Sequence, residues 1–438
     1  MLRAINYRLI NREVHMNYKN IAIEILRTLK EDVSTKRFKE KYFEDKKTFT
    51  RNRKISLHFL ITFLMKKSLK SYDLKLNDFS EKFEITDEKL PSKQAVSKAR
   101  IKLGWNIFED FFRLSVATFF KNNTWEKNWK GYQIYAIDGS DCEVPTTTET
   151  LKFFGNMASK KAKESAGATF STITDVLNGI ILDTTIQPYK SPEREMAISH
   201  CEKIKEYIQC NKTIILCDRG YPSYDLLGYL YDNNLKFVMR VKEQFTNMRT
   251  PGQQDGEVYR KCGKKMRTLR TIELKLTDET TEYLITNLAI EEMRAESFKE
   301  LYFLRWGVES KYQEIKNRIM LEEFSGSKVI SIKQDYYISM FLSNISALLK
   351  NEVDIELANA AEKTKKTREY QANRSYITGC LNNLLEVILM RKVDIQKKIE
   401  HLIYQSKKKR SLIRPNRKNE RNKILNRRKH HINYKPCI

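Results

Sequence analysis

The spacing of apolar residues predicts helices over residues 1–130. Ile21–Leu29 and Ile55–Leu69 are densely apolar and contain no turn signal, which is typical of helices that bury one face. Pro91-Ser92 predicts the start of another helix with Ser92 as its N-cap. The basic residues of this helix are Lys93, Lys98, Arg100 and Lys102. Two interpretations stay open: the helix contacts DNA, or its basic face is simply solvated.

After Gly131 the spacing of apolar residues along the sequence changes. Short apolar runs and turn signals there predict strands that alternate with helices. Asn178-Gly179 is a strong β-hairpin signal, and Ser191-Pro192-Glu193 predicts a helix start with Ser191 as the cap. The predicted elements are a strand at Gln133–Asp138, a hairpin over Ala168–Ile186, a helix from Ser191 to about Gln209, a strand at Lys212–Cys217, a helix at Tyr224–Tyr231 and a strand at Lys236–Val241. This order predicts a mixed α/β fold.

Residues 243–290 interrupt this alternation, and we predict a β-rich insertion there. Thr250-Pro251-Gly252 and Asp255-Gly256 are typical of turns, whereas Arg267–Lys275 and Thr281–Asn287 are typical of strands. Helices resume at about Ile290 and continue to about Tyr404. The predicted division is a helical DNA-binding region at 1–130, the first part of a core at 131–242, the insertion at 243–290, the second part of the core at 291–350, and a helical region with a basic tail at 351–438.

The net charge narrows the class of partner. Lys and Arg number 81 against 55 Asp and Glu, which gives a formal net charge of +26, more than solubility requires. This excess predicts a polyanionic partner, either nucleic acid or an acidic membrane surface, with a general enrichment in lysine as the alternative explanation. Residues 407–438 hold 13 Lys and Arg and one acid, Glu420, so we expect this tail to contact phosphates.

No stretch of the sequence predicts a bilayer span. The longest apolar run, Ile55–Met65, is about eleven residues long and contains His58. The first residues lack the apolar region of a secretory signal, so we expect a cytoplasmic protein with no membrane partner. The seven cysteines form no Cys-x-x-Cys pair, which argues against a zinc site and against a disulfide framework.

Three acidic residues lie in informative local contexts. Asp138 follows Tyr-Ala-Ile, Asp218 follows Ile-Ile-Leu-Cys, and Glu309 lies in a basic stretch with helical periodicity. Carboxylates that fold together hold hard divalent cations for chemistry on phosphates, and Mg²⁺ prefers oxygen ligands. We therefore predict that these three residues are catalytic and bind metal. Taken singly, each has a structural alternative, such as a turn residue at Asp138 or a strand-end cap at Asp218.

The stretch from Tyr302 to Lys316 predicts one helix with a functional edge. At about 100° per residue, Tyr302, Arg305, Glu309 and Lys316 fall within an arc of roughly 60°. An apolar stripe runs beside this arc and consists of Leu301, Leu304, Val308, Tyr312, Ile315 and Ile319. The alternative for the arc is a row of intrahelical ion pairs, above all Arg305–Glu309.

These residues carry a family resemblance. Tyr302, Arg305, Glu309 and Lys316 match the Tyr-x2-Arg-x3-Glu-x6-Lys signature at every spacing. With Ile-Asp138-Gly-Ser and Cys-Asp218-Arg-Gly-Tyr, the chain resembles the DDE transposases of bacterial insertion sequences, in the YREK-signature cut-and-paste group (insertion-sequence family four). The resemblance covers residues 90–345 best.

The resemblance implies an α/β fold with a ribonuclease-H-like catalytic core, a β-rich insertion and flanking helical regions. It implies metal-dependent DNA cleavage and strand transfer, with Mg²⁺ as cofactor and Mn²⁺ as a substitute. It further implies a homodimer on double-stranded DNA, namely the paired terminal inverted repeats and the target. The residues that it places on DNA are Tyr302, Arg305, Lys316, Arg240, Lys242 and Trp306.

The sequence departs from relatives that form DNA hairpins. Some of these relatives hold a flipped-out base with a tryptophan in the insertion, and residues 243–290 contain none. Phe245, Met248 and Tyr259 are the candidate substitutes. Two alternative functions also stay open: a structure-selective nuclease without strand transfer, and a catalytically inactive DNA-binding relative.

Overall fold

The computed structural model describes residues 17–43, 49, 54–122, 127–158, 164–243, 254–277, 280–363 and 369–414. Phe245, Met248 and most of the basic tail lie outside these ranges. The described residues form two compact units. The sheet unit is drawn from 123–141 and 169–313, and the helical unit from 17–122, 142–168 and 314–438. The five-part division made from the sequence stays a prediction.

The helices of the described residues are numbered here in chain order. They are α1 (Tyr18–Val33), α2 (Lys36–Tyr42), α3 (Leu57–Met65), α4 (Tyr72–Phe83), α5 (Lys93–Ile101), α6 (Asn106–Asn122), α7 (Thr148–Phe154), α8 (Glu193–Ile204), α9 (Tyr224–Asp232), α10 (Ser297–Phe303), α11 (Trp306–Asn317), α12 (Val329–Lys363), α13 (Arg374–Met390) and α14 (Ile395–Lys408). None of the described helices is both long enough and apolar enough to cross a membrane.

The strands form one large sheet and one small one. They are β1 (Gln133–Glu143), β2 (Gly167–Asp175), β3 (Ile180–Pro188), β4 (Thr213–Cys217), β5 (Lys236–Val241), β6 (Asp255–Cys262), β7 (Lys265–Thr277), β8 (Thr280–Thr286), β9 (Tyr370–Gln371) and β10 (Ser411–Leu412). The large sheet has the order β3-β2-β1-β4-β5-β8-β7-β6. Strands β1, β4 and β5 run parallel, and β5 to β6 pair antiparallel through β8 and β7.

The central strands are apolar because both of their faces are covered. All residues of β4 are buried, as are Ile134–Ile137 of β1. A parallel strand in the middle of a sheet buries side chains on both faces, so an uninterrupted apolar run is expected there. This explains why Gln133–Asp138 and Lys212–Cys217 were identifiable as strands. Each apolar run stops directly before an aspartate, Asp138 in the first case and Asp218 in the second.

Two local predictions in the sheet unit are wrong. Asp255-Gly256 was predicted to be a turn but opens β6, because both carboxylate oxygens of Asp255 accept hydrogen bonds from Arg270, at 2.8 and 2.7 Å. Ser191 was predicted to cap a helix, yet α8 starts at Glu193 without a side-chain cap. The Ser191 hydroxyl instead donates to the carbonyl of Pro188 at 2.7 Å.

The hairpin at Asn178-Gly179 is present, with a longer loop than a two-residue turn. Strands β2 and β3 are joined through Val176–Gly179, and Gly179 has a φ of +68°. The carboxylate of Asp175 accepts bonds from the backbone N–H groups of Leu177 and Asn178, at 3.0 and 2.9 Å. This buried carboxylate stabilises the loop and accounts for its length.

The helical unit contains the helix predicted to start at Ser92. The Ser92 hydroxyl accepts a bond from the N–H of Ala95 at 3.3 Å and caps α5, as expected. Arg100, grouped with the basic face by the sequence, is instead 2% exposed and pairs with Asp335 of α12 at 2.8 Å. Lys98 and Lys102 are exposed. Arg100 is therefore a structural residue, and Lys93, Lys98 and Lys102 carry the solvent-facing charge here.

Candidate active site

Strand pairing places Asp138 and Asp218 next to each other in the sheet unit. In the parallel register, Ile137 of β1 faces Cys217 of β4. The two aspartates follow these partners directly, on neighbouring strands that are about 4.8 Å apart. Both carboxylates are partly exposed. Two carboxylates that lie far apart in the chain therefore meet at one edge of the apolar sheet.

The backbone at Asp138 is fixed by buried side chains. Its carbonyl oxygen accepts hydrogen bonds from the hydroxyl of Ser171, at 3.1 Å, and from the phenol of Tyr312. Ser171 in turn contacts His200, whose other ring nitrogen lies 2.6 Å from a carboxylate oxygen of Asp183. Because Ser171, His200 and Tyr312 are all buried, they hold this segment of β1 in one position.

The chain from Tyr302 to Glu309 is not the continuous helix that its periodicity predicts. Helix α10 ends at Phe303 and α11 begins at Trp306. Between them, Arg305 N–H donates to the carbonyl of Tyr302 and Val308 N–H donates to that of Arg305, which are the tighter i→i+3 bonds of a 3₁₀ turn. The prediction of a single arc at about 100° per residue is therefore wrong across Leu304 and Arg305. The apolar stripe beside it is buried, as predicted.

The broken segment brings Arg305 among the acids. Its Nη2 lies 2.9 Å from Oε1 of Glu309, and its side chain is only 4% exposed. The guanidinium also lies 5.5 Å from the ring centroids of Tyr302 and Trp306. The phenol of Tyr302 donates to Oδ1 of Asp218 at 3.4 Å. Tyr302 and Arg305 thus connect Asp218 with Glu309.

Burial and neighbouring charges shift the pKa values in this cluster. Burial raises the pKa of Asp138 to about 7; the positive charge of Arg305 lowers it, and the negative charges of Glu193 and Glu309 raise it. Burial raises the pKa of Tyr302, so its phenol stays protonated. The pKa of Arg305 lies above its ordinary value because Tyr302, Asp218 and Glu309 outweigh the effect of burial. Asp138 therefore holds its proton more tightly than an exposed aspartate does, chiefly because it is buried.

The segments that build this cluster fall within one matched family. Residues 129–345 match the family described as the transposase DDE domain. The matched range is just under half of the chain. Asp138, Asp218 and Glu309 all lie inside the matched range, as do the signature residues from Tyr302 to Lys316.

Two known proteins are similar to the chain. The curated protein "Putative transposase InsZ" of Escherichia coli (strain K12) is 26% identical over 140 residues, which cover 32% of this chain and 45% of that protein. The chain thus spans less than half of the length of this relative. A cryo-EM structure of the piggyBac transposase synaptic complex with hairpin DNA covers 89% of this chain and 86% of that chain, with a TM-score of 0.48 and 11% identity.

The donor groups of the predicted triad are of the kind that a hard divalent cation prefers. They are carboxylate oxygens, which Mg²⁺ and Mn²⁺ prefer. Across the part of the chain that the structure describes, no three His, Cys, Asp or Glu side chains lie close enough together to hold one ion. In this conformation the Arg305 guanidinium occupies the space beside Glu309.

The other residues predicted to contact DNA lie in different surroundings. Arg240 on β5 pairs with Glu282 of β8 at 3.2 Å, and Lys242 is exposed just beyond the same strand. Trp306 is half-buried against Arg305. Lys316 lies in the helical unit, 3.8 Å from Glu322. Their contacts with DNA stay predictions.

Sequence reasoning missed four residues that lie around Asp138. Tyr312 was assigned to the buried stripe, Glu193 to a helix start, and Ser171 and His200 to no role. The periodicity of Tyr312 showed that it is buried, but no local pattern could show that its phenol reaches the carbonyl of Asp138. Such contacts depend on strand order, which a single sequence does not specify.

Proposed function

We propose that this protein is a DNA transposase of the YREK-signature group that cuts and joins strands at the ends of a transposon. The observation that supports the proposal is that Asp138 and Asp218 follow paired residues of neighbouring strands, while the buried Arg305, which pairs with Glu309, acts on both aspartates through its charge. These acids come from three separate segments of the matched domain.

The catalytic core in this proposal is ribonuclease-H-like. The order β3-β2-β1-β4-β5, with a hairpin of β2 and β3 followed by parallel strands, supports that assignment. Strands β6 to β8 then form the insertion, which extends the same sheet by pairing β8 with β5. The insertion precedes the segment with Glu309, as the family resemblance implies.

Asp138, Asp218 and Glu309 would hold Mg²⁺, or Mn²⁺ in its place. Such ions, when bound, activate the attacking oxygen and stabilise the leaving one in phosphoryl transfer. The protein residues supply the geometry: Tyr302 orients Asp218, Arg305 orients Glu309, and Tyr312 with Ser171 holds the backbone of Asp138.

The proposed reaction has two phosphoryl-transfer steps. A water oxygen forms a bond to phosphorus at the transposon end while the bond to the 3′ oxygen breaks, which leaves a 3′-hydroxyl. That hydroxyl then attacks a phosphorus of target DNA, and a second 3′ oxygen leaves. Lys316, Arg240, Lys242 and Trp306 would contact the DNA, and the protein would act as a homodimer on paired ends in the bacterial cytoplasm.

Strand cleavage by acid-to-amide variants tests this proposal. The substrate is a labelled duplex made from the DNA that flanks the gene on each side, incubated with Mg²⁺ and a target plasmid. We expect Asp138→Asn, Asp218→Asn and Glu309→Gln each to lower the cleavage rate at least about 100-fold, because each removes a ligand from a site that stabilises the transition state.

Glu206→Gln is the matched control, because Glu206 is an exposed acid outside the cluster. It should cut at the wild-type rate. If any one of the three cluster variants also cuts at that rate, the assigned triad is wrong. Cleavage without joined plasmid product would indicate a nuclease without strand transfer, and DNA binding without cleavage in Mg²⁺ or Mn²⁺ would indicate an inactive relative.

A further inference from the structure

A lysine near the start of α12 lies beside two aromatic rings in the helical unit. The ammonium of Lys333 is 4.7 Å from the ring centroid of Trp105 and 4.9 Å from that of Phe153. Trp105 directly precedes α6, and Phe153 lies in the last turn of α7. Three segments that are far apart in the chain therefore bring one cation and two rings together. We call these three residues the ring–lysine cluster.

Hydrogen bonds to α12 hold both of the ring-bearing segments in place. The side-chain amide of Gln334, the residue after the lysine, donates to the carbonyl of Leu103 at 2.7 Å, two residues before the indole. The carboxylate of Glu149 in α7 accepts a bond from the backbone N–H of Val329 at 3.0 Å. The geometry of the cluster is thus set by the fold of the helical unit.

The Lys333 ammonium lacks an oxygen partner. Among the described residues it makes no hydrogen bond and no ion pair. Its side chain is half-buried, and burial lowers its pKa while the negative charge of Glu109 raises it. The Glu109 carboxylate itself accepts a bond from Nη2 of Arg113 at 2.7 Å. Aromatic faces attract an ammonium but do not replace strong acceptors, so its N–H groups are available to an anionic oxygen.

Phe153 presents its ring to solvent although the next residue is fully buried. Phe153 is 42% exposed and Phe154 0%, and the two rings meet edge to face with centroids 4.8 Å apart. A single exposed phenylalanine needs no explanation. An exposed ring beside an ammonium without an oxygen partner, however, combines the two groups that bind a nucleotide: a surface on which the base stacks and a cation for its phosphate.

The charges around the cluster indicate what occupies it. Lys152 directly precedes Phe153, Lys102 lies three residues before Trp105, and both lysines are exposed. A basic surface with an open aromatic ring is typical of proteins that bind single-stranded nucleic acid. Bases inside a duplex are already stacked on both faces, so a base that stacks on Phe153 must be unpaired.

We propose that the ring–lysine cluster binds an unpaired nucleotide of a DNA strand, whose base stacks on Phe153 and whose phosphate accepts a hydrogen bond from Lys333. The proposed function has the protein act on duplex ends and requires no site for unpaired DNA. The inference rests on the proposed function only in that the protein must bind DNA.

The affinity for single-stranded DNA relative to duplex DNA tests the inference. The full-length chain is titrated in EDTA into fluorescein-labelled oligo(dT) of about 12 nucleotides, and separately into a duplex of the same length, and anisotropy is measured. We expect Phe153→Leu to weaken binding to oligo(dT) about fivefold or more, because stacking on a ring contributes to the affinity for each base. Its affinity for the duplex should be unchanged. Phe153→Tyr, which keeps the ring, should bind both DNAs as the wild type does.

The salt dependence tests the phosphate contact. On a single strand, each phosphate contact contributes about 0.7 to the slope of log affinity against log salt concentration. Lys333→Met should therefore make the slope for oligo(dT) shallower by about 0.7, whereas Phe153→Leu, which removes no charge, should keep the wild-type slope.

Two control variants match these changes elsewhere in the chain. Lys205→Met removes an exposed lysine of the sheet unit and should leave the slope unchanged. Tyr404→Leu removes a ring that is 50% exposed and has the ammonium of Lys408 4.2 Å from its centroid. It should bind oligo(dT) as the wild type does. An equal loss in Tyr404→Leu and Phe153→Leu would show that the cluster is no more a site than another exposed ring.

The outcomes separate this inference from the proposed function. If Phe153→Leu binds oligo(dT) as the wild type does, or loses affinity for oligo(dT) and duplex equally, the cluster holds no unpaired base and the proposed function stands. An unchanged slope in Lys333→Met overturns the phosphate contact. If the wild-type chain binds neither DNA, the proposed function is wrong and this inference with it.

Discussion

Arg305 is the residue on which the electrostatics of the cluster depend. Its guanidinium bonds to Glu309, lies against the rings of Tyr302 and Trp306, and acts on Asp138 and Asp218 through its charge. A planar, always charged guanidinium can stack and bond at the same time, which an ammonium group cannot do. The family resemblance implies that Arg305 grips DNA. Its burial favours a positioning role in which it holds the carboxylate of Glu309.

Asp138→Asn should stabilise the metal-free chain at high pH more than at low pH. The pKa of Asp138 is about 7 in the folded chain and about 3.8 when unfolded. The folded state therefore keeps a proton that the unfolded state loses, and the contribution of this carboxyl to stability falls as the pH rises from about 4 to about 7. Asparagine avoids that loss, so its advantage should be largest above pH 7, at most about 4 kcal/mol.

The measurement is the melting temperature in EDTA at pH 5 and at pH 8. Asp225→Asn is the control, because Asp225 is an exposed acid in the first turn of α9. An equal shift in melting temperature at both pH values for Asp138→Asn would show that Asp138 titrates normally. Adding Mn²⁺ should reverse the order of the two proteins at pH 8, since only the wild type gains from binding.

Elements differed in how well the sequence could predict them. Strand β5 was predicted with its observed bounds, and β4 and α9 within one residue, because each is a short apolar run between clear turn signals. The break between α10 and α11 was missed. Gly307 lies next to that break, and a Cβ atom there would lie 3.0 Å from Cβ of Val176. Close packing against another element is a tertiary contact, which the spacing of apolar residues along the sequence does not reveal.

Helix α5 depends on one buried arginine in the helical unit. Arg100 donates to the side chains of Tyr72, Gln334, Ser325 and Asp335 and to the carbonyl of Ser331, at distances of 2.6–2.8 Å. These acceptors lie on α4, α12 and the segment before α12. A sequence gives only the charge of an arginine, and so the same residue was grouped with the solvent-facing lysines.

Arg100→Met should therefore destabilise the chain strongly. The substitution keeps much of the side-chain volume but leaves Asp335 buried and without its ion pair, which typically costs about 3–5 kcal/mol. Lys98→Met, on the exposed face of the same helix, should change stability by no more than about 0.5 kcal/mol. Urea denaturation of both variants compares them directly, and equal midpoints would show that the Arg100 network contributes little.

Across the whole molecule, ion pairs engage some of the lysines but cannot reduce the charge excess, because they use acids that the net charge already counts. Lys66 and Lys82 both pair with the buried Glu386, and Lys93 pairs with Asp73. The formal net charge nevertheless stays at +26. The sequence predicted a polyanionic partner from this number, and it identified the residue types that bind phosphate. It could not say which lysines are used in the fold, because pairing depends on tertiary neighbours such as Glu386.

The basic tail offers a test of how that charge is used. Residues 415–438 contain eight Lys and Arg and one acid, and each phosphate contact contributes about 0.9 to the slope of log affinity against log salt concentration. Replacing the eight basic residues by glutamine should make this slope shallower, by up to about 7 if all eight contact phosphates. Fluorescence anisotropy on a duplex of arbitrary sequence, over a series of NaCl concentrations, measures it. Asp225→Asn should leave the slope unchanged. A tail variant whose slope equals that of the wild type would assign the phosphate contacts to residues before 415.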